Sequence, residues 1–219
     1  MVGPAAQTTR LVRQDSSLVV ARSAAQEERR RQILDAAVRA FAKKGYHACR
    51  VSDIAQEAGV AYGLVYHYFD SKDAVLESVF REMWGKMVGA INAIEQVEES
   101  PRQQLRKSCA IVLRTWRDYP DVVRVLVREV ARSGEQLQRE VEEIAHAFAA
   151  LQRIVERGQE QGVFRTDLSP RLAAWIIYGA LEEILTGWVL GRLPGEEEDV
   201  KEAERAVVGI LCEGLVSAS

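Results

Sequence analysis

The residue types that usually carry catalysis are sparse in this chain and poorly spaced for it. No glycine-rich phosphate loop (GxGxxG or GxxxxGK[ST]) occurs, nor a GxSxG nucleophile turn or an HExxH zinc helix. Glu143 and His146 form one E-x-x-H pair, part of the ligand set of a ferritin-like dimetal bundle. Such a centre needs a second pair and two further carboxylates. The other histidines, His47 and His67, have no glutamate three residues ahead of them. The pair therefore reads as two neighbours on a helix face, and a metal-binding helical enzyme stays a remote alternative. Cys49, Cys109 and Cys212 make no CxxC pair, which argues against a zinc framework or a disulfide scaffold and fits a reducing compartment. No catalytic residue, metal or cofactor is expected.

Residues 46–76 suggest binding instead. A first short stretch, Arg50 to Ala58, turns Val51, Ile54, Ala55 and Ala58 inward. A second runs from Ala61 to about Tyr68, and the two meet at Gly59-Val60-Ala61. That is the outline of a helix-turn-helix. Gly59 suits the turn because a positive φ is cheap only without a Cβ. The second stretch packs Tyr62, Tyr66, His67 and Tyr68 into just over two turns. A helix that short is unstable alone, so its neighbours must hold it rigid, as a groove-reading helix requires. Charge agrees: residues 1–75 carry a net +3 and the remainder −6, a modest asymmetry that suggests nucleic acid at one end and alone decides nothing.

The elements that must position this piece are all helical. Residues 1–25 are polar and aperiodic and read as a mobile arm carrying Arg10, Arg13 and Arg22. From Glu27 the 3.6-residue period begins, with Ile33, Leu34, Ala37, Val38 and Phe41 on one stripe and Gly45 as a left-handed stop. Ser71 caps a long helix, and Asp73 sits in its first turn, where the dipole favours a negative charge. Further helices are expected after Pro101, from Asp121, over about 135–161, from Pro170 and from about Glu197. With 219 residues, 47% of them apolar and 28% charged, the chain supports a sizeable core. The reading is an all-α protein of about nine helices, with a three-helix head over 26–72 and a helical bundle over 73–219. The best apolar run, Ala173 to Leu181, is too short for a membrane span, and the N-terminus shows no secretory leader; a soluble cytoplasmic protein is expected.

The head resembles the DNA-binding domain of the TetR/AcrR family of bacterial regulators. The residues that carry the likeness are Ile33-Leu34-Asp35-Ala36-Ala37, Phe41, Gly45-Tyr46, Val51-x-Asp53-Ile54-Ala55, Ala58-Gly59-Val60, Gly63 and Tyr66-x-Tyr68-Phe69-x-Ser71-Lys72-x-x-x-Leu76. The resemblance implies a ligand-responsive transcriptional regulator, a repressor released from a pseudo-palindromic operator, and not an enzyme. The helix from Ala61 to Tyr68 would lie in the major groove of double-stranded DNA. Tyr66, His67 and Lys72 would touch phosphates, Ser52 and Tyr62 would reach base edges, and Gly63 would allow close approach. Arg50 replaces a usual hydroxyl residue and would add a phosphate or guanine contact. Tyr68 and Phe69 are expected as core anchors.

The resemblance also implies a homodimer, formed by the helix after Pro170 and the last helix, and an effector site among the central helices. Trp84, Trp116, Tyr119, Phe148, Tyr178 and Glu182 are the candidates to line that site, with Trp175 beside them. Within the body, Gly179-x-x-Glu182-Glu183-x-x-x-x-Trp188, with Arg128-Glu129 and Gly162-x-Phe164, is similar to repressors of fatty-acid degradation. Those respond to long-chain acyl-coenzyme A. The alternative effector is an aromatic or drug-like compound of the kind met by efflux regulators.

Overall fold

The periodic apolar positions become helices, and no strand occurs among the described residues. The computed structural model describes the backbone of residues 5–130 and 134–214, and the side chains of 23–128, 145–207, 209, 210 and 214. In chain order the elements are α1 (Ala5–Lys44), α2 (Val51–Ala58), α3 (Tyr62–Tyr68), α4 (Lys72–Glu95), α5 (Pro101–Asp118), α6 (Pro120–Val130), α7 (Gly134–Glu160), α8 (Pro170–Val189) and α9 (Glu197–Gly214).

Two boundaries differ from the sequence expectation. α1 is helical from Ala5, so residues 5–25, read as an aperiodic arm, lie within it. A helix stretch without an apolar stripe leaves no period to read. Pro120 opens α6 rather than only closing the helix before it, because its fixed φ suits a first helical position. Asp121 then sits in the first turn instead of capping it.

The chain divides into two contact units, Met1–Leu76 and Glu77–Ser219. In the first, Ile33, Leu34, Ala37 and Phe41 of α1 are buried, as are Ile54 and Ala55 of α2 and Val65 of α3. Full burial of Ile33, Ile54 and Val65 contributes about 2 kcal/mol each. In the second, Leu105, Cys109 and Leu113 of α5 share a core with Leu151, Ile154 and Val155 of α7 and with Ala174, Ile177 and Leu181 of α8. Phe164, in the loop before α8, is buried there, and its ring occupies the space a Cβ on Gly158 would need.

α8 is long and apolar enough, by length and composition alone, to cross a membrane. The nine-residue run seen in sequence is thus part of a longer apolar helix. Ala173, Ala174, Ile177, Leu181, Gly187, Trp188 and Val189 are buried within the body, as in the core helix of a globular bundle.

Candidate nucleic-acid interface and ligand-binding body

The head builds its exposed α2–α3 surface by local backbone chemistry. Arg50 precedes α2 in an extended conformation, and its N–H donates to the Asp53 carboxylate at 2.8 Å. Lys44 donates to the same carboxylate at 2.7 Å. The Lys44 hydrogen bond, then the Arg50 N–H, hold Asp53 below the usual carboxylate range. α2 ends at Gly59, whose φ of 65° is left-handed, and Val60 N–H donates back to Ala55 O at 3.0 Å. The turn expected at Gly59 is therefore present, and a side chain there would be strained.

α3 follows at once, with Ala61 extended ahead of it and Phe69 N–H closing it on Val65 O at 2.9 Å. Val65 and Phe69 point inward, and the Arg30 guanidinium lies 5.4 Å over the Phe69 ring. Phe69 is thus the expected core anchor, while Tyr68 is only half-buried. Tyr62, Gly63, Tyr66 and His67 are exposed on α3, and Ser52 is exposed at the start of α2. A Cβ on Gly63 would meet nothing within 4 Å, so nothing inside the described chain requires glycine there. Tyr62 and Tyr66 pair edge to face at 5.1 Å, with their hydroxyls 3.2 Å apart.

The cations of the head mostly face their own neighbours. Arg39 and Lys43 both bind Glu57, at 2.8 and 3.0 Å. Those two bonds, Arg39's first, lower Glu57 below its ordinary range. Arg29, Arg30 and Arg31 reach Gln32, Glu27 and Glu28 within α1. Lys72, expected at a phosphate, is half-buried. Its ammonium donates to Tyr46 O at 2.7 Å and Cys49 O at 3.0 Å, and sits 4.3 Å over the Tyr46 ring. Beside it the Tyr46 hydroxyl donates to Asp73. Together they clamp the loop after α1 to the first turn of α4. The Arg50 charge also helps to hold the Asp53 carboxylate low. Arg50 is exposed at the mouth of α2.

In the body the structure gathers some of the expected aromatic groups and separates others. Trp84 of α4 and Tyr178 of α8 are 6.0 Å apart, Tyr178 and Phe148 of α7 are 4.6 Å apart, and Phe148 stacks on Trp175 at 4.4 Å. Phe80 extends the row beside Trp84. Trp116 belongs elsewhere: it stacks on Trp188 and donates from Nε1 to Gly195 O at 3.1 Å. Tyr119 is exposed at the end of α5. Glu182 is exposed by surface area, yet enough protein surrounds it that desolvation, then the Glu183 charge, raises its carboxyl. Leu172, Trp175 and Ile176 form an exposed apolar strip on α8, and Ile210 of α9 is also exposed.

One polar cluster has no local signature. Glu95, 8% exposed at the end of α4, accepts two bonds of 2.8 Å from Arg153 of α7, with Arg157 at 3.9 Å. Arg153's hydrogen bond is the main reason its carboxyl lies below the ordinary range. Gln104 of α5 donates to Val97 O at 2.9 Å and Glu95 O at 3.2 Å, covering the end of α4. Partners 58 residues apart leave no spacing to read. Among the described residues no group of His, Cys, Asp and Glu could hold a metal ion, and the side chain of Glu143 lies outside them.

Comparison with known proteins agrees with both parts. The sequence profile of bacterial regulatory proteins of the tetR family matches residues 33–79, and that of the YsiA-like protein C-terminal region matches 80–212. The fatty acid metabolism regulator protein of Bacillus subtilis (strain 168) is 30% identical over 191 residues, 84% of this chain and 94% of the relative. The structure of the fatty acid degradation regulator FadR from Bacillus halodurans superimposes with a TM-score of 0.77 at 30% identity, over 85% of this chain and 96% of that one. FadR from Bacillus subtilis, solved in complex with stearoyl-CoA, superimposes with a TM-score of 0.75 at 27% identity, over 84% of this chain and 98% of the other.

Proposed function

The chain belongs to the TetR family of bacterial regulatory proteins, and from that premise we propose that it is a homodimeric repressor released from operator DNA by a long-chain acyl-coenzyme A. The observation that carries the effector is the likeness, over most of both chains, to a regulator solved with stearoyl-CoA.

The DNA contacts are drawn from the residues the head leaves outward. Arg50 meets a phosphate or a guanine. Ser52 and Tyr62 reach base edges, Gly63 lets the backbone come close, and the Tyr66 and His67 side chains meet phosphates. The DNA-binding part extends over about 26–72 and the effector and dimerisation part over 73–219. The strip Leu172, Trp175, Ile176 on α8, with Ile210 of α9, pairs with its copy about a two-fold axis. A two-fold dimer presents two copies of α3 to the two halves of a pseudo-palindrome.

The acyl chain lies against the aromatic row of Trp84, Phe148 and Tyr178. Trp116, Tyr119 and Glu182 belong to the wider surroundings. Ligand binds better to the state in which the two reading heads are wrongly spaced, and α4, whose first turn holds the α1–α2 loop through Lys72 and Asp73, carries the shift. The protein acts by binding rather than by catalysis, in the cytoplasm where its DNA is.

The test is fluorescence anisotropy of the full chain on labelled DNA from upstream of its own gene, with and without stearoyl-CoA. Salt-sensitive binding that stearoyl-CoA abolishes is the expected result. Binding that stearoyl-CoA leaves unchanged overturns the effector and turns the search to aromatic compounds; no binding overturns the regulator.

A further inference from the structure

The exposed residues of α3 fix what kind of base contact this helix can make. They are Tyr62, Gly63, Tyr66 and His67. The strong edge-reading pairs in the major groove are Arg or Lys on guanine and Asn or Gln on adenine, each with two parallel hydrogen bonds. α3 presents none of those side chains. The cytosine amino group is read by a carboxylate, and α3 carries none either. What α3 presents is ring surface. Tyr62 is 53% exposed and Tyr66 44%. They lie one turn apart, edge to face at 5.1 Å, and the hydroxyl–hydroxyl contact at 3.2 Å fixes how the two rings lean on each other. That bond uses the Tyr62 hydroxyl proton within the helix, while the residue as a whole stays half exposed.

One base alone offers the major groove an apolar group: thymine, through its C5-methyl. We infer that Tyr62 is a specificity-determining residue that packs its ring on a thymine methyl in each operator half-site, with Tyr66 as the positioning residue that holds the ring in place. The inference rests on the head docking α3 on duplex DNA. It differs from that reading in naming the base and the atom recognised. The open space around Gly63 lets the helix come close enough for a ring-to-methyl contact rather than a long polar reach.

The first arm of the experiment acts on the DNA and uses the parent chain; the second uses variants whose fold is checked by circular dichroism. The full chain selects duplexes from a random pool. Each thymine of the enriched half-site is then replaced in turn by deoxyuridine, which removes the methyl and leaves every hydrogen-bonding group. At one position uracil is expected to weaken binding about fourfold per methyl removed. Tyr62→Phe keeps only part of that thymine-over-uracil preference, because the ring remains but the hydroxyl contact through which Tyr66 holds it is lost. Tyr62→Ala abolishes it, which separates the contact from any change in DNA shape. Uracil duplexes bound as tightly as thymine duplexes at every position overturn the inference, as does a preference that survives Tyr62→Ala. A pool that yields no enriched sequence overturns the DNA-reading head itself and the inference with it.

Discussion

The head and the body place their polar groups in opposite ways. In the head, charged side chains between helices find partners 9 to 26 residues away in the chain. Arg39 and Lys43 meet on Glu57, Lys44 meets Asp53, and Lys72 serves the loop carbonyls. The surface left outward is Arg50 and the exposed residues of α3. In the body, the decisive ion pair joins residues far apart in the chain, and the exposed strip on α8 is apolar. The difference teaches how each part is assembled. The head leaves outward a surface from one short segment. The body gathers an aromatic row by bringing distant helices together.

That contrast explains what could be read from the sequence. The helix-turn-helix was legible because Val51, Ile54, Ala55 and Ala58 follow helical spacing and Gly59 comes directly after them. The left-handed turn at Gly59 needed only the residue type. The role of Lys72 was not legible, since three backbone carbonyls leave no mark in a sequence. In the body the aromatic candidates were named by size alone. Trp84, Phe148 and Tyr178 come together only because α4, α7 and α8 do, while Trp116 packs on Trp188 instead. Glu95, Gln104 and Arg153 were missed for the same reason.

The comparison breaks first, if it breaks, at Gly158. An alanine there would put its Cβ 2.1 Å from the buried Phe164 ring, and overpacking of that kind costs about 3 kcal/mol. Urea unfolding should show that loss in the body, while amide exchange over Ile33–Leu76 stays as in the parent chain. Equal loss of protection in the head would make the two units one cooperative structure.

Arg153→Ala sharpens the body's side. It leaves Glu95 buried without its main partner, at a cost of about 2 kcal/mol, reduced from the fully buried case because Arg153 is half exposed. Its pH dependence has a definite sign. The folded carboxyl titrates below its ordinary 4.5, so its stabilisation is complete above that value and is lost as pH falls through the lowered one. Thermal melts should therefore fall further for the parent than for Glu95→Gln between about pH 6 and about pH 3.

Lys72→Met tests the head. Loss of the clamp should lower stability by about 1.5 kcal/mol. The dependence of DNA affinity on salt should keep its slope, since the ammonium faces carbonyls. A slope reduced by about one, with stability intact, would put Lys72 on a phosphate instead.

The smallest effect belongs to Glu182→Gln. A raised carboxyl binds its proton more readily in the folded chain, so its charged form costs stability as pH climbs past the ordinary carboxylate value. The amide should raise the melting temperature near neutral pH by about 1 °C and leave it unchanged in acid. An equal rise at both would assign the effect to packing.

The central claim is that the two parts are coupled, and coupling is reciprocal. Titrating stearoyl-CoA into the full chain, by tryptophan fluorescence, with and without saturating operator DNA measures it directly. Operator DNA should weaken stearoyl-CoA binding by the same factor by which stearoyl-CoA weakens DNA binding. Equal stearoyl-CoA affinity in both titrations would contradict the account.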